Sequence, residues 1–98
     1  MDAAVFMGSE LYAAGFRLAG LDAHAPEPSS AAALFEKLLA QHPALLLVGE
    51  SCVTAVGPAR IRSAVSQAAP PVLVIADQPG QPSLEELAAE VRAELGVA

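Results

Sequence analysis

Apolar positions follow two rhythms along this chain, and their alternation predicts an α/β fold. Residues 44–48 and 72–76 are continuous apolar runs, the pattern of strands covered on both faces. Ala3-Ala4-Val5-Phe6-Met7 makes a similar run at the start, and Asp22-Ala23-His24-Ala25 is a short, polar strand candidate suited to a sheet edge. Helical periodicity fills the gaps. Over residues 10–19 the 3.6-residue period places Leu11, Ala14, Gly15 and Leu18 on one face. Glycine inside a helix costs about 1 kcal/mol against alanine, so Gly15 is expected to let this face lie close against the sheet. Tyr12 and Phe16 form an adjacent aromatic stripe, with Glu10, Ala13 and Arg17 turned away. Gly20 then suits the residue that stops the helix.

The later segments carry their own start and stop signals. Pro28-Ser29-Ser30 precedes a helix predicted over residues 31–41, with a serine as N-cap, Leu34, Phe35, Leu38 and Leu39 inward, and Pro43 at its end. Ser51 is placed to cap one turn, Gly57-Pro58 interrupts the pattern, and a second segment begins with proline at its first position. Ile61, Ala64 and Val65 form its inward face, with Arg60 and Arg62 outward. Ser83-Leu84-Glu85-Glu86 reads as a capping box opening a last helix. Its apolar stripe is Leu84, Leu87, Ala88, Val91 and Leu95, with Gly96 as the stop. Residues 77–82, holding two prolines and a glycine, link it to the rest.

Strands alternating with helices imply a parallel sheet with right-handed crossovers. The expected architecture is four strands in the order 2-1-3-4 with helices on both faces, the first and last helices sharing one face: a flavodoxin-like or receiver-like fold. One domain is expected, with residues 1–76 as the α/β core and 77–98 as its linker and closing helix.

Composition narrows the function classes. Ninety-eight residues suffice for one core and not for two. Of the 54% hydrophobic residues many are alanine, and no run reaches the roughly 18 apolar residues of a membrane span. The N-terminus shows no signal-peptide features, so the expected location is cytoplasmic. A formal net charge of −6 with only five Lys and Arg leaves no basic patch for nucleic acid or anionic lipid. A lone cysteine, Cys52, excludes an intrachain disulfide and reads as a small apolar residue.

In such sheets ligands bind at the carboxyl ends of the strands, near the switch between strands one and three. Gly8, Ser9 and Glu10 follow the first strand, and Gly49, Glu50 and Ser51 the third. A phosphoacceptor receiver needs an aspartate after strand three, acidic partners after strand one and a lysine after a later strand. Here Gly49-Glu50 ends the third run and the sole lysine, Lys37, falls in a helix. Dinucleotide and phosphate-loop fingerprints are missing after Gly8. Glu10 and Glu50, flanking one crevice, are the best carboxylate pair for an enzyme. Cys52 has no obvious base, since His24 belongs to the edge strand and His42 to a helix end, where its cationic form suits the dipole. No catalytic residue, cofactor site or metal ligand is expected. Arg17 has two readings: a helix-face residue pairing with Glu10, and a partner-contact arginine.

The run Gly15-Phe16-Arg17-Leu18-Ala19-Gly20, closing a first helix after a strand and the turn Gly8-Ser9, resembles the F subunit of prokaryotic V-type (archaeal-type) ATPases and ATP synthases. The likeness extends more loosely through Leu45-Leu46-Leu47-Val48, Pro71-Val72-Leu73-Val74-Ile75 and the closing helix. It implies a non-catalytic protein that joins the coiled-coil D subunit in the central rotor axle, or central stalk. That axle couples ATP hydrolysis or synthesis in the head to ion transport through the membrane ring. It also implies a cytoplasmic protein held at the membrane as part of a complex. The residues expected at the partner are Arg17 and, on the closing helix, Leu84, Glu86, Leu87, Glu90, Val91 and Arg92. Three departures from the family pattern stand out: a valine- and isoleucine-poor second strand, a third helix broken at Gly57-Pro58, and a tail rich in alanine and glutamate. The alternatives are a stand-alone receiver-like protein-binding module and a small ligand-binding enzyme at the Glu10/Glu50 crevice.

Overall fold

The computed structural model describes residues 3–78. Strand β1 (Ala4–Met7) leads to helix α1 (Glu10–Leu18), strand β2 (Asp22–His24), helix α2 (Pro28–Ala40) and strand β3 (Leu45–Gly49). A single 3-10 turn (Glu50–Cys52) and the short α3 (Val53–Val56) precede α4 (Pro58–Gln67) and β4 (Val72–Ile75). The four strands form one sheet in the order β2-β1-β3-β4, and every neighbouring pair is parallel. This is the flavodoxin-like topology that the alternating rhythms predict. β1 is central, with Val5 opposite Asp22 on one side and Leu46 on the other.

The pleat sends alternate residues to opposite faces. Val5, Met7, Leu46, Val48 and Val72 point to the side of α2, α3 and α4, where Ala31, Phe35, Leu38, Cys52, Ile61 and Ala64 complete one buried cluster. Phe6 and Ala23 point to the other side, where Ala13 is the buried residue of α1 and Tyr12, Phe16, Leu47 and Ile75 are half-buried.

The orientation of α1 reverses the sequence expectation. Ala13, expected outward, is fully buried, whereas Leu11 is 62% and Leu18 92% exposed. Gly15 is exposed, and a Cβ built on it would meet nothing within 4 Å. The aromatic stripe determines the rotation: the Phe16 ring lies on Phe6 with centroids 4.6 Å apart, and ring-on-ring packing outweighs burial of two leucines on so small a face. The stop is as expected. Gly20 has φ +94, and the paired bonds Gly20 N–H to Arg17 O and Leu21 N–H to Phe16 O close the helix.

α2 starts earlier than its serines suggest. Pro28 occupies the first turn and Glu27, in extended conformation, is the cap residue without a side-chain bond. Proline's fixed φ already fits the first helical position, so Ser29 and Ser30 lie inside the helix. Its end leaves His42 at φ +51, just before the buried Pro43. The break between α3 and α4 falls at Gly57, whose φ of +112 a residue with a side chain rarely adopts. On α4, Ile61 and Ala64 are buried, but Val65 is 43% exposed, a departure from its expected inward position. Arg60 ties α4 to α2 through a two-point contact with Glu36, Nε to Oε2 at 2.6 Å and Nη2 to Oε1 at 2.8 Å. Its guanidinium also lies 5.6 Å from the Phe35 ring centroid. No helix among the described residues is long and apolar enough to cross a membrane. The predicted closing helix, with Leu84, Glu86, Leu87, Glu90, Val91 and Arg92, lies outside the described residues.

Candidate functional site

A parallel sheet brings the carboxyl ends of β1, β3 and β4 to one edge, and each end here carries small or polar residues: Gly8-Ser9, Gly49-Glu50-Ser51 and Ala76-Asp77. Asp77 is fully buried, the sole buried charged side chain among the described residues. It lies two residues beyond β4, and its side chain crosses the end of β3 to reach the loop after β1. The Ser9 N–H donates to its Oδ2 at 2.7 Å, the Ser51 N–H to its Oδ1 at 3.0 Å, and the Ser51 hydroxyl to its Oδ2 at 2.5 Å. The Ser9 hydroxyl donates to the Asp77 backbone carbonyl. Buried charge is tolerated only when it is hydrogen-bonded, and donors to a carboxylate are the strong kind.

The glycines explain how the carboxylate fits. A Cβ on Gly49 would overlap the Asp77 side chain, and one on Gly8 would lie 2.6 Å from Oδ2 and run into the Phe6 ring. Both strands must end in glycine for the side chain to pass over them.

Around this centre the sequence-expected residues fall into separate places. Ser9, Glu10, Pro26, Ser51, Cys52 and Gln78 line an open depression of about 310 Å³, at the small end of ligand pockets. Glu50 lines a different one, with Thr54, Pro58, Arg62 and Val74. Glu10 and Glu50 therefore do not flank one crevice, as the sequence suggests. Helix-side geometry is the reason: the 3-10 turn carries Glu50 toward α4, while Glu10 opens α1 beside β2. Ser51, expected to cap a turn, instead gives its N–H and hydroxyl to Asp77, and Gly49 is the cap residue of the turn.

Cys52 is only 6% exposed. Burial pushes its thiol above the usual range; a hydrogen bond with Ser51 works against this, and the Asp77 carboxylate adds to it. A thiol held protonated is a poor nucleophile, so this cysteine packs. Arg17 bridges within the molecule: its Nε donates to the Ala23 carbonyl at 3.1 Å and its Nη1 lies 3.5 Å from Glu10. Both contacts tie α1 to itself and to β2, while about half of the side chain stays exposed. His24 lies 3.3 Å from Asp22 on the edge strand. Among the described residues no group of His, Cys, Asp and Glu is arranged to hold a metal ion.

Asp77 is the residue that sequence reading missed, because its neighbours Gln78-Pro79-Gly80 mark a linker. The available signal was an acid directly after an apolar run, in a chain whose two inner strands end in Gly-Ser and Gly-Glu-Ser. No protein-family model matches the chain, and no curated protein does either.

Proposed function

We propose that this protein is a non-catalytic binding subunit, of the kind that the F subunit is in the rotor axle of prokaryotic V-type ATPases and ATP synthases. The observation that carries the reading is the run Gly15-Phe16-Arg17-Leu18-Ala19-Gly20 closing α1 in a parallel sheet ordered β2-β1-β3-β4. Two features of the site support it. The edge where such sheets bind ligands is taken up by the protein's own Asp77 carboxylate, and the best carboxylate pair, Glu10 and Glu50, is divided between two depressions. A stand-alone receiver-like module shares these features, and the partner distinguishes the two readings.

In the proposed assembly the protein binds a coiled-coil partner of the D-subunit type, turns with it, and leaves ATP chemistry and ion passage to the other components. Contact with the partner falls to Arg17 and to the stripe Leu84, Leu87 and Val91, with Glu86, Glu90 and Arg92 at a salt-sensitive rim. The test is co-expression of the full chain with the coiled-coil D subunit encoded in the same genome, followed by size-exclusion chromatography. A stable complex, lost on replacing Leu87 and Val91 together by aspartate, is the expected result. A genome without such a coiled-coil partner, or a chain that elutes alone at micromolar concentrations, overturns the reading.

A further inference from the structure

The Asp77 carboxylate sits at the sheet edge as a bound anion sits in a binding protein. Two backbone N–H groups and one hydroxyl, from loops on two different strands, converge on its two oxygens. A third strand delivers it, and two glycines clear its path. Oδ2 takes the Ser9 N–H and the Ser51 hydroxyl while Oδ1 takes the Ser51 N–H, so the donors are divided between two coplanar oxygens. Chloride, a single sphere, matches that arrangement poorly; a carboxylate matches it well.

We propose that Asp77 is a built-in ligand: its carboxylate occupies an oxyanion cradle formed by Gly8, Ser9, Gly49 and Ser51 and latches the ends of β1, β3 and β4 into one unit. While latched, the cradle is closed to small anions from solution. The latch also fixes where the chain leaves the sheet, because the Ser9 hydroxyl holds the Asp77 carbonyl and Ser9 is the N-cap of α1. The chain therefore leaves the sheet beside the start of α1. This inference is independent of the rotor-axle reading and stands if that reading fails.

The cradle makes a demand that an ordinary buried polar contact does not. With the side chain gone, the donors are left facing one another without that acceptor, and a free carboxylate of the right size should take its place. Asp77→Gly removes the carboxylate together with its Cβ and so gives formate the most room that a substitution at this position can. In the full chain, in chloride buffer, Asp77→Gly should lower Tm by more than about 8 °C. Replacing chloride by about 0.1–0.3 M sodium formate, enough to populate a weak site, should restore at least roughly 3 °C of that loss. Wild type should show no difference between the two salts at equal ionic strength. A variant whose Tm is the same in formate as in chloride, or a wild-type shift as large as the variant's, overturns the proposal. A variant that folds in formate and not in chloride supports it. Hydrogen exchange on the wild-type chain gives a second reading that needs no variant. The Ser9 and Ser51 amides should exchange as slowly as those of β1 and β3, and exchange at the rate of an open loop rules the latch out.

Discussion

On the side of α2, α3 and α4, β1, β3 and β4 bury Val5, Met7, Leu46, Val48 and Val72 against Phe35, Leu38, Ile61 and Ala64. On the side of α1 the buried set among the described residues is Phe6, Ala13 and Ala23, and Leu73 of β4 is 49% exposed. β1, β3 and β4 contribute side chains to both faces, so the difference among the described residues lies in the helices. α2 is 13 residues long and carries large side chains at helical spacing. α1 has 9 residues and meets the sheet through an alanine and two aromatic rings. A face built on a few rings can choose its rotation by a single stacking contact, whereas a face built on many aliphatic residues is fixed by their period.

The comparison is broken or sharpened by substitution, starting with the deeper face. Phe35→Ala, at a fully buried position, should cost about 3–5 kcal/mol; a loss below about 1 kcal/mol in urea unfolding would show that this face is not the main core. The next effect belongs to the edge. Gly49→Ala pushes a Cβ into the Asp77 side chain, which its hydrogen bonds hold in place, and should cost about 1–3 kcal/mol. The same substitution at Gly15 has the opposite sign. With open space around its Cβ position, Gly15→Ala should stabilise by about 0.5–1 kcal/mol through the helix, and a destabilisation would restore the buried orientation that the periodicity predicts. Leu18→Ala, at 92% exposure, should change stability by less than about 0.5 kcal/mol.

The smallest effect is a pH dependence. The hydrogen bond from Arg60, opposed by desolvation and helped by the guanidinium's charge, holds the Glu36 carboxyl below its ordinary range. A folded pKa below the unfolded one means stability that is fully present above the unfolded value and is lost as pH falls through the folded one. Both side chains are partly exposed, at 37% and 53%, so the contribution is minor. Melting curves of wild type and Glu36→Gln from about pH 7 to about pH 3 should therefore differ most at neutral pH and converge in acid. A gap that widens as the pH falls would reject the assignment.

The sequence by itself determined the sheet. Continuous apolar runs, separated by helical spacing and punctuated by Gly20, Pro43 and Gly57-Pro58, are enough to give the four parallel strands in their order, because short right-handed crossovers leave few alternatives. It also determined the buried stripe of α2, where large residues repeat at the helical period. Only the tertiary structure decided which way α1 turns, since Leu11 and Leu18 outweigh Ala13 on any hydrophobicity scale and lose to the contact of Phe16 with a ring from β1. It likewise decided the separation of Glu10 from Glu50, through a 3-10 turn that sequence spacing does not announce. The partnership of Ser9, Ser51 and Asp77 belongs to the same class. Ser51 and Ser9 are 26 and 68 positions from Asp77 along the chain, and no local pattern records a hydrogen bond that exists only once parallel strands have brought three loop ends to one edge.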